Sequence, residues 1–273
     1  MPTELPLSYS DKALPLGRFK SSLVEQNASA QCIYGIFPVL EFLRSGAAAE
    51  KILMKKGLGG ANVSEIRKLA SERGIPIKDV PIEKLDRTIR GNHQGIICYG
   101  SLITWQNAED VVPFIFEGGT DPLILILDRV TDIRNFGAIC RTAECAGFHA
   151  VLVPARGAAE VNADAVKSSA GAVFRMNLCR SNNLKLTLQF LKDSGIRVIG
   201  VTEKADDLIY SESYAGPLAL MLGSEEDGIS PEYLKLCDAK VKIPMPGETQ
   251  SLNVAAAGAI VMFEAVRQRI PFK

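Results

Sequence analysis

The sequence predicts an α/β protein, a parallel sheet covered on both faces by helices, with a smaller α/β unit ahead of it. Two observations carry this expectation. Short apolar runs recur at Leu123–Leu127, Ala150–Val153, Arg197–Val201, Leu218–Leu222 and Lys240–Ile243. Helical stretches near 136–146, 162–170, 184–194, 231–237 and 252–269 separate them. Such short apolar runs suit strands buried on both sides, and strands spaced by helices join as parallel neighbours.

In chain order, residues 1–30 are polar, contain prolines and lack periodicity, so they read as an N-terminal arm. Residues 31–104 form the first unit. It has a short helix pattern at Phe37, Leu40 and Leu43, a strand at Lys51–Met54 and a helix at Val63–Arg73 whose apolar positions are Ile66, Leu69 and Ala70. Strands follow at Pro76–Lys78 and Ile96–Tyr99. Gly74 sits where a helix C-cap belongs. The stretch 105–121, with Pro113 and Gly118-Gly119 before Pro122, reads as a linker. Residues 122–273 hold the larger unit.

The composition is that of an ordinary globular chain: 47% hydrophobic, with 31 Lys+Arg against 31 Asp+Glu. No apolar run reaches the roughly 18 residues of a membrane span. The opening segment has no apolar core or cleavage-like site, so no secretory signal is expected. Six cysteines without a C-x-x-C pair, and two histidines, argue against a metal site and leave little room for a Ser-His-Asp hydrolase. Reduced, mostly buried thiols in a cytoplasmic protein are expected. Residues 1–104 carry a net +4 (14 basic, 10 acidic), and Lys51–Arg90 alone holds 10 basic and 5 acidic side chains. This asymmetry fits a polyanion-binding module or a solvated helix face.

Ligands of open α/β sheets sit at the carboxyl ends of strands, so the strand-to-helix junctions carry the chemistry. Gly223–Gly228 has the spacing of a phosphate loop. It lacks the following Lys, and Glu225, Glu226 and Asp227 would repel a triphosphate. No G-x-G-x-x-G dinucleotide fingerprint follows the first strand. At the first junction Asn135 is a candidate N-cap, and Gly137 lets the backbone approach a partner. Arg141 stands among small and apolar residues. It either pairs with Glu144 or Asp128 or faces a groove or an anion. At the last junction Ser251 is a candidate cap, which leaves the Asn253 amide free in the first turn to reach a ligand.

Three of these segments, Asn135–Ala143, Leu222–Gly228 and Ile243–Val254, resemble in order and spacing the signature motifs of SpoU/TrmH-type SPOUT RNA 2′-O-ribose methyltransferases. The resemblance extends to Tyr34-Gly-Ile, His93–Ile97 and Phe263–Arg269, and is greatest to the bacterial 23S rRNA guanosine-2′-O-methyltransferase subgroup. It implies a deep C-terminal trefoil knot, a ribosomal-protein-like RNA-binding first unit, a homodimer joined through the knotted domain, and S-adenosylmethionine as the cofactor. The implied cofactor contacts are Gly223, Ile243, Leu252, Met245 and Thr202. The implied catalytic set is Arg141, Asn135, Glu225, Ser251 and Asn253, with no metal and no membrane. Arg141 would orient a phosphate and the ribose, because a guanidinium stays protonated and is a poor general base. His93 and Gln94 fit either a structural turn or an RNA contact, and Lys167 either a loop near the active site or a plain helix end. Pro246 and Gln250 depart from the family pattern, where Ala and Ser are frequent. The expected activity is methyl transfer to a ribose 2′-hydroxyl of large-subunit rRNA. The alternatives are the same chemistry on tRNA, or a noncatalytic RNA-binding or ribosome-assembly protein. A nicotinamide-dependent oxidoreductase is disfavoured by the missing glycine fingerprint.

Overall fold

The computed structural model describes residues 32–248 and 251–270; the N-terminal arm and Gln250 lie outside them. The first unit runs β1 (Cys32–Tyr34), α1 (Ile36–Arg44), β2 (Ala49–Lys55), α2 (Ala61–Glu72), β3 (Ile77–Val80), α3 (Ile82–Thr88) and β4 (Ile96–Gly100). Its sheet has the order β1-β4-β2-β3, with β2–β3 parallel and the other pairs antiparallel. Alternation along β2 and β4 divides the core. Ile52, Met54 and Ile96 face the apolar stripes of α1 and α2, while Leu53 and Ile97 meet Leu85 of α3 on the opposite side. Gly74, just past the end of α2, has φ +64°, the left-handed conformation a glycine supplies at a helix terminus. The seven-residue α3 was not expected from sequence, because Leu85 is its one buried side chain.

The second unit begins with α4 (Ala108–Glu117), where a linker was expected. Pro113 and the Gly118-Gly119 pair obscure this helix, yet Ala108, Val111, Val112 and Ile115 are buried on one side of it. It continues with β5 (Leu123–Leu127), α5 (Ile133–Cys145), β6 (Ala150–Pro154), α6 (Ala163–Ser168), a single 3₁₀ turn, β7 (Asn177–Ser181) and α7 (Leu184–Asp193). Then come β8 (Arg197–Val201), β9 (Asp207–Leu208), β10 (Leu218–Leu222), α8 (Pro231–Leu234), β11 (Ala239–Lys242) and α9 (Val254–Arg269). The seven strands are parallel, in the order β7-β6-β5-β10-β8-β11-β9.

Both faces of this sheet are covered, as the apolar runs predicted. Leu125, Leu127, Leu220 and Leu222 point toward α5 and α9, whereas Ile124, Ile126, Ala219 and Met221 point toward α4 and α7. Gly137 allows one close approach: a Cβ there would lie 1.9 Å from Ser168 Oγ, so the partner it admits is α6. The six cysteines are free. Burial pushes the Cys98 and Cys179 thiols up to about 12, and Cys145 is exposed.

A polar seam joins the units. Arg180 on β7 donates to Glu50 Oε1 (2.9 Å) and to the Glu50 carbonyl (3.1 Å) on β2. Trp105 Nε1 donates to the other Glu50 oxygen (3.0 Å), and the Trp105 ring lies 3.9 Å beneath the guanidinium. The two charged side chains are 5% and 9% exposed, a depth at which ions persist only when paired and hydrogen-bonded.

Candidate active site

The carboxyl ends of β5, β8, β10 and β11 converge on one side of the sheet. Three loops that are distant in sequence meet there on a single atom. Glu225 Oε1 accepts from Asn135 Nδ2 at 2.7 Å and from Asn253 Nδ2 at 2.8 Å. Asn253 Nδ2 also donates to Asn135 Oδ1 at 3.0 Å. The three side chains thus form a closed ring of hydrogen bonds, the two to Glu225 charge-assisted.

Helix starts position two members of the ring. Asp132, not Asn135, caps α5, its carboxylate accepting from the Asn135 amide at 2.8 Å. Asn253, not Ser251, caps α9, its Oδ1 accepting from Ala255 and Ala256. Both sequence assignments were displaced by three or fewer residues within stretches rich in capping side chains. The Asn253 amide, expected to be free for a ligand, instead spends its donors on Glu225 and Asn135.

The third member is set by a closed turn. Ser224 and Gly228 exchange backbone hydrogen bonds of 3.1 Å. Arg129 donates to Asp227 (2.9 Å) and to the Gly228 carbonyl (3.1 Å), while buried Asp128 accepts from the amide and hydroxyl of Ser230, both at 2.6 Å. From sequence Asp128 was considered only as an ion-pair partner of Arg141, and Arg129 was not singled out, although both stand in the first junction. Arg129 has φ +57°, a backbone conformation that non-glycine residues rarely adopt and that often marks functional loops. A Cβ on Gly223 would lie 1.9 Å from the Gly228 carbonyl carbon and 2.1 Å from the Ile229 nitrogen. The glycine is therefore required by the turn folding back on itself, rather than by a ligand. Gly223→Ala is expected to destabilise the protein by about 1–3 kcal/mol, since main-chain atoms must move. Thermal melting checks this against Gly247→Ala, where a Cβ meets nothing within 4 Å.

Beside the ring lies a cavity of about 340 Å³. Thr202, Gly223, Ile243, Met245 and Leu252, the five expected cofactor contacts, all line it, together with Ser251 and Glu225. Leu222, Val254 and Ala257 complete an apolar wall. A second hollow of about 250 Å³, lined by Arg129, Asp132 and Asn135, adjoins it across Ser224–Glu226.

Other expected residues stand elsewhere. Arg141 lies six residues beyond Asn135, about one and two-thirds turns on, and leaves α5 on a different side. It is exposed and lines neither hollow. The pairings considered for it do not form: Glu144 pairs with Arg175, and Asp128 with Ser230 and Arg129. Among the described residues Arg141 has no ion-pair partner. Lys167 is exposed in the last turn of α6. His93 is buried in the first unit, where its Nδ1 accepts from the Gly95 amide (3.0 Å) and Nε2 meets Asp86 (2.9 Å). Gln94, at φ +51°, accepts from the Ile36 amide. Both residues build a turn. Among the described residues no helix is long and apolar enough to cross a membrane, and no group of His, Cys, Asp or Glu is placed to hold a metal.

Both units match known protein families. Residues 122–263 match the SpoU rRNA Methylase family, and residues 32–101 match an RNA 2′-O ribose methyltransferase substrate-binding domain. The chain is 42% identical over 197 residues to the 23S rRNA (guanosine-2′-O-)-methyltransferase RlmB of Photobacterium profundum, covering 72% of this chain and 80% of that protein. It is 33% identical over 239 residues to the putative TrmH family tRNA/rRNA methyltransferase YacO of Bacillus subtilis, covering 88% and 96%. In fold it resembles the SpoU methyltransferase AviRb from Streptomyces viridochromogenes, solved with AdoMet, at TM-score 0.56 and 24% identity over 89% of this chain and 91% of that one.

Proposed function

The chain belongs to the SpoU rRNA methylase family of RNA 2′-O-ribose methyltransferases, and on that premise we propose that it methylates the ribose of a guanosine in large-subunit rRNA, using S-adenosylmethionine. The observation that carries the reading is the ring at Glu225 Oε1, which holds the loops after β5, β10 and β11 around one cavity. The residues present suit the cofactor. Ile243, Met245 and Leu252 offer an apolar surface for an adenosine, and Glu225 offers negative charge to a cation. When bound, the cofactor supplies a methyl group on a sulfonium, already activated for displacement. Asn135 and Asn253 hold the cavity mouth, and Ser251 offers a hydroxyl there. Arg141, an exposed cation without a partner among the described residues, meets the phosphate and ribose of the RNA from outside the cavity. Rejoining of the β10 and β11 loops beside β5 suits a chain threaded as a trefoil knot, and pairing of two copies through this unit goes with it.

Glu225 gives a test within the site. Glu225→Ala removes an acceptor of two hydrogen bonds and is expected to weaken cofactor binding about tenfold. Glu225→Gln retains an acceptor and is expected to lose less. Calorimetric titration with S-adenosylmethionine measures both, and equal affinity of the alanine variant and the wild type counts against the ring's role. Activity is tested by incubating the purified protein and labelled S-adenosylmethionine with rRNA and tRNA from cells lacking its gene, then mapping the ribose methyls. A single guanosine mark in large-subunit rRNA is expected. Labelling of tRNA alone would move the substrate, and labelling of neither RNA would overturn the reading. The name of the RlmB relative supports rRNA over tRNA.

A further inference from the structure

Two hollows larger than those at the reaction site lie along the seam between the units. These cavities, of about 680 and 520 Å³, share Pro76, Ile77, Asp79, Ala155 and Arg156 and so form one continuous cleft. One wall is β3 with the end of α2, and the other is the carboxyl end of β6 and β7. The buried Arg180–Glu50 pair lies at its base and fixes the two walls relative to each other.

The charges of this cleft do not cancel. Six cationic and four anionic side chains line it. Each of the four carboxylates is already engaged. Arg67 holds Asp79 at 3.2 Å, and Lys185 holds Glu232 at 3.2 Å. Lys51 pairs with Glu160, and Arg180 with Glu50. Two exposed cations remain, Lys78 on the wall of the first unit and Arg156 on the facing wall, neither with an ion-pair or side-chain hydrogen-bond partner among the described residues. An open cleft with surplus positive charge on opposing walls is suited to a polyanionic strand.

The cleft also leads to the reaction site. Arg156 is followed by Gly157, where a Cβ would lie 3.6 Å from Arg129 Cγ. The Ala159 amide donates to the Val130 carbonyl at 2.9 Å. Arg129 and Val130 line the smaller hollow beside Asn135. The smaller hollow and the seam are therefore neighbours across Gly157.

We propose that the seam cleft binds the sugar-phosphate backbone of the substrate RNA flanking the modified nucleotide, with Arg156 and Lys78 each contacting a phosphate from opposite walls. This inference rests on the RNA-methyltransferase reading above. Such contacts set position and affinity without reading sequence.

The test uses the full chain and a fluorescein-labelled oligouridylate of twenty residues, for which sequence plays no part. The double variant Lys78→Ala/Arg156→Ala is expected to bind about tenfold more weakly at 0.15 M salt. Its log–log salt slope should be shallower by about 1.4, because each phosphate contact on a single strand contributes about 0.7. Lys240→Ala, an exposed lysine on β11, should change neither. Cofactor affinity and melting temperature of the double variant should equal those of the wild type, and Arg156→Lys alone should keep most of the wild-type slope. Wild-type affinity and slope in the double variant would overturn the cleft, even if the wild type methylates rRNA. Conversely, weakened binding in the double variant would support the cleft even if no RNA were methylated, an outcome that would sink the functional reading alone.

Discussion

Arg141→Lys is expected to cut the single-turnover rate of methyl transfer about a hundredfold at saturating RNA and S-adenosylmethionine, and Arg141→Ala about a thousandfold. The two substitutions separate charge from shape. Lysine keeps the positive charge but presents a point ammonium in place of a planar fork, and a fork can hold a phosphate and a ribose oxygen together. Cofactor affinity should not move, because Arg141 does not line the cavity. The melting temperature should not move either, because the side chain is exposed and has no ion-pair partner among the described residues. A lysine variant with the full wild-type rate would remove the argument for a forked contact.

Arg180→Met should produce the largest loss of stability, about 3–5 kcal/mol, or roughly 10 °C in melting temperature. The substitution leaves Glu50, 9% exposed, as an uncompensated buried charge and also removes the guanidinium stacked on Trp105. Burial already pulls Arg180 below its usual pKa while Glu50 pulls it back, so the pair is held in balance by its partners. In Arg180→Met/Glu50→Gln the leftover charge disappears, and the amide still accepts from Trp105. Most of the lost stability should return. Thermal unfolding followed by circular dichroism compares the three proteins, and a single variant melting within a degree or two of the wild type would show that the pair contributes little.

The larger sheet was legible wherever a strand is apolar on both faces. β5 and β10 are unbroken runs of Leu, Ile, Ala and Met, and their burial is complete. β7 escaped notice for the opposite reason. Asn177 and Arg180 spend their polar groups on His149, Gln106 and Glu50, partners 28, 71 and 130 residues away, which no local pattern displays. The Pro113 in α4 likewise outweighed its apolar stripe. In the site, residue types and spacing drew attention to the strand-to-helix junctions, while the five residues that line the cavity wall came from the family resemblance. Residue types and spacing did not reveal which asparagine caps which helix, nor the supporting pair Asp128 and Arg129, because an N-cap depends on a one-to-three-residue shift in backbone direction. Nor did they show that Arg141 is exposed and lines neither hollow.

Asn253 does two things with one side chain: its oxygen starts α9 while its amide reaches Glu225. Winding of the first turn and completion of the cavity wall are consequently a single event. A small molecule settling against Leu252 should register as slowed deuterium uptake at the amides of Ala255 and Ala256, which turns the opening of the last helix into a built-in reporter of occupancy.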